Sequence, residues 1–167
     1  GYGCTSGSTV IGEDQVSNAI KTAHPGILVT NPLTACKAAL KALNLKRIAF
    51  LTPYKPAISK AMRDNLMEGG FEIPVTASFY ESDDLVVGKI TSESILESVK
   101  KIGVRDDCDG VFVSCTNLRV ASIIKLAEEY LGKPVTSSNH ALAWHLLRLA
   151  GIYDTPKKLG RLFNLVF

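Results

Sequence analysis

The stretch that decides the fold is Asp109-Gly-Val-Phe-Val-Ser-Cys-Thr-Asn-Leu-Arg119. Its apolar run at residues 111–113 is short enough for a buried strand, and a helix-period pattern follows from Leu118. A strand that leads through a polar corner into a helix is one unit of a parallel α/β sheet. Ligands and reacting groups bind at such corners, beyond the carboxyl ends of the strands. We therefore expect Cys115, which lies in the corner, to belong to a functional site.

Apolar runs alternate with helix-period segments along the rest of the chain, which predicts an α/β fold with a parallel sheet. The other strands are expected at residues 27–30, 47–52, 73–79 and 134–138. Pro74 assigns the third of these to a sheet edge, because proline cannot donate a ladder hydrogen bond. A first helix is predicted to run from the apolar positions near Val10 to His24, where proline and glycine follow.

The composition is that of an ordinary globular protein, with 46% hydrophobic and 21% charged residues among 167. This length suffices for one domain or two small lobes. The net charge is only +3 and the basic residues are scattered, so we expect no nucleic-acid partner. No apolar stretch approaches the ~20 residues that cross a bilayer, so we expect no membrane partner.

The four cysteines form no CxxC pair and no disulfide pattern, so we expect reduced thiols, a cytoplasmic location and no metal site. Cys4 and Cys115 differ from the others because each is followed by threonine in a polar corner. Two such corners facing each other would place thiols on opposite sides of one small ligand. A helix N-terminus favours the thiolate, and we expect one two or three residues after Cys115. Cys4 lies in a Gly/Ser/Thr loop whose amides and hydroxyls can bind carboxylate oxygens. Cys36 and Cys108 are interpreted as structural, since free cysteine commonly packs as a small hydrophobe.

Other polar residues are candidates with simpler alternatives. Tyr54 could donate a hydrogen bond to substrate, or be a partly exposed loop tyrosine. Thr116 and Asn117 could bind a carboxylate, or cap the following helix. His140 is a candidate near the ligand, whereas His145 is expected to be a surface or core histidine.

Four motifs in order resemble the aspartate/glutamate racemase superfamily: Tyr2-Gly-Cys-Thr-Ser-Gly-Ser8, Leu51-Thr-Pro-Tyr54, Ser114-Cys-Thr-Asn-Leu-Arg119 and residues 134–151. They are most similar to the branch that holds maleate cis-trans isomerase, arylmalonate decarboxylase and ectoine-utilisation proteins. This resemblance implies two Rossmann-like lobes with parallel sheets, related by a pseudo-twofold axis. The active site would lie in the cleft between them and need no cofactor. We assign residues 1–45 and 133–167 to the first lobe and residues 46–132 to the second.

The resemblance also implies roles for particular residues. Cys4 and Cys115 would be the catalytic pair, and the substrate-binding residues would be Thr5, Ser6, Tyr54, Thr116 and Asn117. Three departures from the group are visible. The run Cys-Thr-Asn-Leu-Arg at residues 115–119 is closer to the racemase-like and ectoine-utilisation members than to maleate isomerases, which leaves the reaction open. The chain begins at the first cysteine motif, so we expect the strands that open the first lobe to be missing. Position 140 is histidine where the group usually has glutamine, which bears on the choice of substrate.

The function that these residues favour is a cofactor-independent isomerase of a small dicarboxylate, similar to maleate cis-trans isomerase. The alternatives are a racemase of aspartate or glutamate type, an arylmalonate decarboxylase-like enzyme, and a non-catalytic carboxylate-binding homologue. Decarboxylation is less favoured because that family keeps one catalytic cysteine, and a redox sensor built on the two thiols is a further class. We expect a homodimer or higher homo-oligomer.

Overall fold

The computed structural model of the chain describes residues 1–166 and is built on a four-stranded sheet. The strands are β1 (Arg47–Thr52), β2 (Glu72–Ser78), β3 (Gly110–Val113) and β4 (Val135–Ser137). Their order is β2-β1-β3-β4, and all three neighbouring pairs are parallel. The predicted parallel α/β fold is confirmed. β2, which contains Pro74, lies at the edge as expected.

Eight helices and one short 3-10 helix connect and cover the strands within the described residues. They are α1 (Thr5–Ile11), α2 (Glu13–Ala23), α3 (Pro32–Ala42), α4 (Pro56–Glu68), α5 (Asp84–Val87), α6 (Ser92–Gly103), α7 (Ile124–Leu131), α8 (Ser138–Leu149) and the 3-10 helix Leu162–Asn164. No helix among residues 1–166 combines the length and apolar character that crossing a membrane requires.

The start of α3 shows how the sequence fixes a boundary. The Asn31 side chain accepts hydrogen bonds from the N–H groups of Leu33 and Thr34, which satisfies two donors that have no partner inside the helix. Pro32 occupies the first turn, where its missing N–H costs nothing. After the helix, Asn44 adopts a left-handed φ of 54° and turns the chain toward β1.

The sheet carries the main hydrophobic core. All four residues of β3 are buried, and the rings of Phe50 and Phe112 stack across β1 and β3 with centroids 6.0 Å apart. Burying side chains of this size stabilises the fold by roughly 1.5–3 kcal/mol each. A second cluster, which includes Ala39 and Trp144, packs α3 against α8. This second contact holds the amino-terminal helices on the sheet domain.

Two predictions for the amino-terminal part are wrong. The single helix expected up to His24 is two helices, because Gly12 has a φ of 96° and interrupts the helical path. Residues 27–30 do not form a strand, and the side chains of Ile27 and Leu28 are exposed instead of buried. A strand requires a hydrogen-bonded neighbour. Within residues 1–166, a single backbone hydrogen bond joins residues 27–30 to a distant segment, and it runs from the Tyr2 N–H to the Thr30 carbonyl.

The helix after Cys115 also begins later than expected. The apolar pattern places it at Leu118, but α7 starts at Ile124. Leu118 is fully buried but not helical. Its apolar character therefore reflects burial and not a helical face. The side-chain amide of Asn139 donates to the carbonyls of Thr116 and Leu118 at 3.1 and 3.0 Å. These carbonyls are therefore engaged by a side chain and not by helical N–H groups.

The division into two lobes stays a prediction, as does the pseudo-twofold axis. β4 was assigned to the first lobe, yet it is hydrogen-bonded to β3 in the single sheet that residues 1–166 contain.

Candidate active site

The candidate site lies where two adjacent parallel strands end. β1 leads into Pro53 and Tyr54, and β3 leads into Ser114 and Cys115. The last paired residues, Leu51 and Val113, lie side by side in the sheet. The sheet therefore brings the Tyr54 loop and the Cys115 corner together at its carboxyl edge, where α/β proteins bind ligands.

Cys115 occupies a constrained corner. Its φ of 96° lies in the left-handed region, which is costly for a residue with a side chain and typical of functional positions. The Cys115 N–H donates to Ser138 Oγ at 3.1 Å, and its Sγ accepts from the Asn117 N–H at 3.4 Å. The side chain is buried, and this burial raises the pKa of the Cys115 thiol. The thiol is accordingly protonated at neutral pH.

The expectation that a helix N-terminus lies directly after Cys115 is wrong. Because α7 begins at Ile124, its positive end is too far along the chain to favour a thiolate at Cys115. The nearby groups that do favour the thiolate are the Tyr54 hydroxyl and the N–H groups of Asn117 and Leu118, and burial outweighs all three.

Cys4 differs from Cys115 in exposure and in local structure. It is an exposed thiol at the position that caps α1, where its Sγ accepts a hydrogen bond from the Gly7 N–H at 3.3 Å and lies 3.5 Å from Ser6 Oγ. A side chain at position 7 would collide with the Tyr2 hydroxyl and approach Cys4 Sγ to 3.2 Å. The missing side chain of Gly7 thus lets the Tyr2 hydroxyl pack against this corner.

A direct hydrogen bond joins the two corners. Thr116 Oγ1 donates to the carbonyl of Gly3 at 2.9 Å, which connects the residue after Cys115 with the residue before Cys4. Asn139 fixes the other side of Thr116 by donating to its carbonyl. The structure therefore brings together two cysteine motifs that are more than a hundred positions apart in the sequence.

Tyr54 lies between the two corners. It is buried, and the Cys115 thiol and the Ser6 side chain are near enough to act on the pKa of its hydroxyl. Burial first, and then the neighbouring Cys115, raise the pKa of the Tyr54 phenol, so the hydroxyl keeps its proton. Its backbone carbonyl is held by the hydroxyls of Ser59 and Ser78 at 3.0 and 2.5 Å.

The remaining predicted binding residues differ in how free they are. Thr5 is 1% exposed, and its hydroxyl has no hydrogen-bond partner among residues 1–166, so it retains capacity for a ligand oxygen. Asn117 is next to the site, but its side-chain amide donates to the Asp84 carbonyl at 2.6 Å. That bond anchors the α5 segment to the corner and leaves the Asn117 carbonyl oxygen for other contacts.

His140 does not face the site. Its Nδ1 lies 3.0 Å from Thr136 Oγ1, and its Nε2 lies 2.8 Å from the Leu159 carbonyl. Burial lowers the pKa of His140 to about 4, so the ring is neutral and ties the carboxyl-terminal segment to α8. His145 is also buried, with Nδ1 2.7 Å from Thr30 Oγ1. We therefore withdraw His140 as a candidate near the ligand.

Sequence reasoning missed two residues that support the corner. Ser138 Oγ accepts from the Cys115 N–H, and the Asn139 side-chain amide donates to the carbonyls of Thr116 and Leu118. The cap of α8 is Ser137, whose Oγ accepts from the His140 N–H. The only signal for these roles was the cluster of serine and asparagine directly after the last strand.

The site offers one exposed thiol, Cys4, and one buried, protonated thiol, Cys115, in two corners joined by the bond from Thr116 to the Gly3 carbonyl. An exposed thiol can act as a nucleophile once it is ionised, and a protonated thiol can supply a proton. No three His, Cys, Asp or Glu side chains within residues 1–166 are grouped as a metal site would need.

Comparison with known proteins identifies the class to which this fold and site belong. The arylmalonate decarboxylase family matches residues 12–163, and the chain is a member of that family. Within it, the chain is 26% identical over 155 residues to the maleate isomerase of Alcaligenes faecalis and 28% identical over 141 residues to the arylmalonate decarboxylase of Bordetella bronchiseptica. These alignments cover 92% and 83% of this chain.

A solved structure shows the same fold. It is a cysteine-to-serine variant of Nocardia farcinica maleate cis-trans isomerase with a covalently bound succinylcysteine intermediate, and it superposes with a TM-score of 0.90 at 24% identity. The match covers 98% of this chain and 69% of that one. The chain spans 61% of the Alcaligenes protein and 59% of the Bordetella protein.

Proposed function

We propose that the chain carries the two-thiol centre of a cofactor-independent isomerase that converts maleate, or a closely related dicarboxylate, into its trans isomer. The observation that carries this proposal is the 2.9 Å hydrogen bond from Thr116 Oγ1 to the Gly3 carbonyl. It joins the Cys4 and Cys115 corners, and two thiols at one ligand suit addition to an alkene followed by elimination. Sequence similarity to the maleate isomerase of Alcaligenes faecalis supports the same chemistry.

The first step is addition of Cys4. Its thiolate forms a carbon–sulfur bond to one alkene carbon, and the π electron pair moves to the neighbouring carbon, where it takes the proton of the Cys115 thiol. The product is a succinyl thioether, the kind of species bound in the Nocardia farcinica variant. Because burial raises the pKa of Cys115, this thiol is suited to be the proton donor, and the exposed Cys4 is suited to be the nucleophile.

The second half reverses the first after rotation. The former double bond is now single and turns, which carries one carboxylate to the trans position. The Cys115 thiolate removes the proton, the double bond forms again, and the carbon–sulfur pair returns to Cys4. Tyr54, which keeps its proton, and Thr5 and Ser6 would hold the carboxylates. Thr116 and Asn117 would keep the second corner in register.

The test is turnover of maleate by the purified protein, followed by the alkene proton signals of maleate and fumarate in NMR spectra. We expect fumarate from the unaltered chain and at least a 100-fold loss in Cys4→Ser and Cys115→Ser, because removing a covalent or proton-transfer group costs rates of this order. Cys108→Ser is the matched control, since this cysteine is buried just before the start of β3, whereas Cys115 follows its end, and the variant should keep its activity.

Parallel assays separate the alternatives. Exchange of the α-proton of L-aspartate in deuterium oxide would indicate a racemase, and release of carbon dioxide from an arylmalonate would indicate a decarboxylase. A folded protein that converts none of these substrates would contradict the isomerase proposal. Retained carboxylate binding in both serine variants, without any reaction, would then favour a binding protein.

We further propose the two lobes given above, a homo-oligomeric state and a cytoplasmic location. Separate packing of α3 against α8, through Ala39 and Trp144, supports a first lobe distinct from the sheet core. Exposed apolar side chains near the Cys4 corner, such as Val10 and Leu28, support burial against further protein. Four free cysteines support a reducing compartment. Light scattering, limited proteolysis and cell fractionation test these three points.

A further inference from the structure

A second cleft lies outside the thiol site, between α4 and the carboxyl half of the edge strand β2. Its volume is about 510 Å³, within the range of roughly 300–1,000 Å³ that small-molecule sites occupy. α4 contributes Ala57, Lys60 and Arg63 to its walls, and β2 contributes Ala77 with Tyr80 just beyond the strand. The cleft is therefore formed by secondary-structure elements and not by a loose loop.

Arg63 has unused hydrogen-bonding capacity in this cleft. Its Nε is buried and has no acceptor among residues 1–166, which is unfavourable for a charged donor. Nη2 forms a long ion pair with Asp64 Oδ1 at 3.7 Å, but Asp64 is held more closely by Lys60 at 2.5 Å. The side chain of Arg63 is 41% exposed, so its terminal N–H groups are accessible to an acceptor from outside the chain.

The chemistry of the walls indicates what that acceptor is. A guanidinium group presents parallel N–H donors that match the two oxygens of a carboxylate. Ala57, Ala77 and the Tyr80 side chain give the cleft apolar walls. We propose that this cleft binds a small carboxylate with an apolar body, whose two oxygens accept hydrogen bonds from Arg63.

A ligand bound in this cleft would change the position of Tyr54. Ser59 and Ser78 line the cleft, and both donate their hydroxyls to the Tyr54 carbonyl. A carboxylate that competes for either hydroxyl would shift Tyr54 relative to Cys115. The site is therefore a regulatory one, and this part of the inference rests on the proposed isomerase function.

Binding itself is tested without any enzymatic assay. Benzoate is titrated into the ¹⁵N-labelled protein, into Arg63→Met and into Arg105→Met, a control that removes an exposed arginine paired with Asp107 on another surface. We expect saturable amide shifts centred on Ala77 and Tyr80, at least tenfold weaker binding in Arg63→Met, and unchanged binding in Arg105→Met. Equal affinity of Arg63→Met and the unaltered protein, with circular dichroism showing both folded, would overturn the proposal. Tighter binding of inorganic phosphate than of benzoate would overturn the carboxylate assignment.

Regulation is tested through maleate turnover at saturating benzoate. We expect a change of at least twofold in kcat or KM in the unaltered protein and none in Arg63→Met. Equal inhibition of both would mean that benzoate acts at the thiol site, which overturns the regulatory role. If maleate is not converted at all, the proposed isomerase fails, while the amide shifts still decide whether the cleft binds carboxylates.

Discussion

His140 makes the stability of this protein depend on pH in a calculable way. The ring is buried, and burial lowers its pKa from the ordinary 6.5 to about 4. The folded state therefore favours the neutral ring, and below pH 6.5 the unfolded chain binds a proton that the folded protein excludes. The contribution of His140 to the free energy of unfolding is complete above pH 6.5 and is lost as the pH falls from 6.5 through 4. The difference between these two pKa values corresponds to about 3 kcal/mol.

The perturbation that isolates this contribution is His140→Gln. Glutamine can still donate to the Leu159 carbonyl, the partner of Nε2, but it does not titrate. Urea unfolding of both proteins at pH 7.5 and at several values down to pH 4 gives the difference in unfolding free energy at each pH. Acid-sensitive groups common to both proteins cancel in that difference.

We expect the unaltered protein to lose about 3 kcal/mol more than His140→Gln between pH 7.5 and pH 4. His24→Gln is the matched control, because His24 is exposed after α2, and it should follow the unaltered protein. The reasoning would be refuted if the difference in unfolding free energy between His140→Gln and the unaltered protein stays constant with pH.

Three further predictions concern the site and its supports. Thr116→Val removes the hydrogen bond to the Gly3 carbonyl. Because catalysis is sensitive to misplaced groups, the variant should lower kcat for maleate about tenfold with little change in the melting temperature. Unchanged kcat would mean that the two corners do not depend on this bond. Glu128→Gln replaces one of two buried carboxylate oxygens that accept hydrogen bonds from backbone N–H groups. It should lower the unfolding free energy, measured by urea unfolding, by about 1–3 kcal/mol. Equal stability would show that the amide satisfies both donors. Iodoacetamide at pH 7.5 should alkylate Cys4 well before Cys115, since Cys4 is exposed while burial raises the pKa of Cys115. Peptide mass mapping gives the order of labelling. Faster labelling of Cys115 would contradict its assignment as the proton donor.

The local sequence was sufficient where neighbouring residues alone decide the backbone. Pro74 assigned β2 to an edge, and Asn31 with Pro32 begins α3, because each effect depends on one side chain and the peptide groups next to it. The two Cys-Thr motifs identified both candidate thiols, because each motif consists of neighbouring residues. The sequence also predicted that Cys36 and Cys108 are buried, as they are.

Periodicity misled where burial arises from contacts distant in sequence. Leu118 is buried in a turn, so its apolar character was read as helical. The side chain of Asn139, twenty-one residues later, holds the Leu118 carbonyl, and no local pattern announces such a bond. Residues 27–30 are apolar like a strand, yet a strand forms only where another strand can pair with it.

The sequence by itself determined the parallel α/β class, the two cysteine motifs and the Asn31 cap that begins α3, because these follow from side chains acting on adjacent backbone. Tertiary structure decided that Cys115 is a buried, protonated thiol and Cys4 an exposed one. It also decided that Thr116 reaches the Gly3 carbonyl and that His140 is structural. Burial and contacts between distant segments set protonation and orientation, and both exist only once the sheet has brought those segments together.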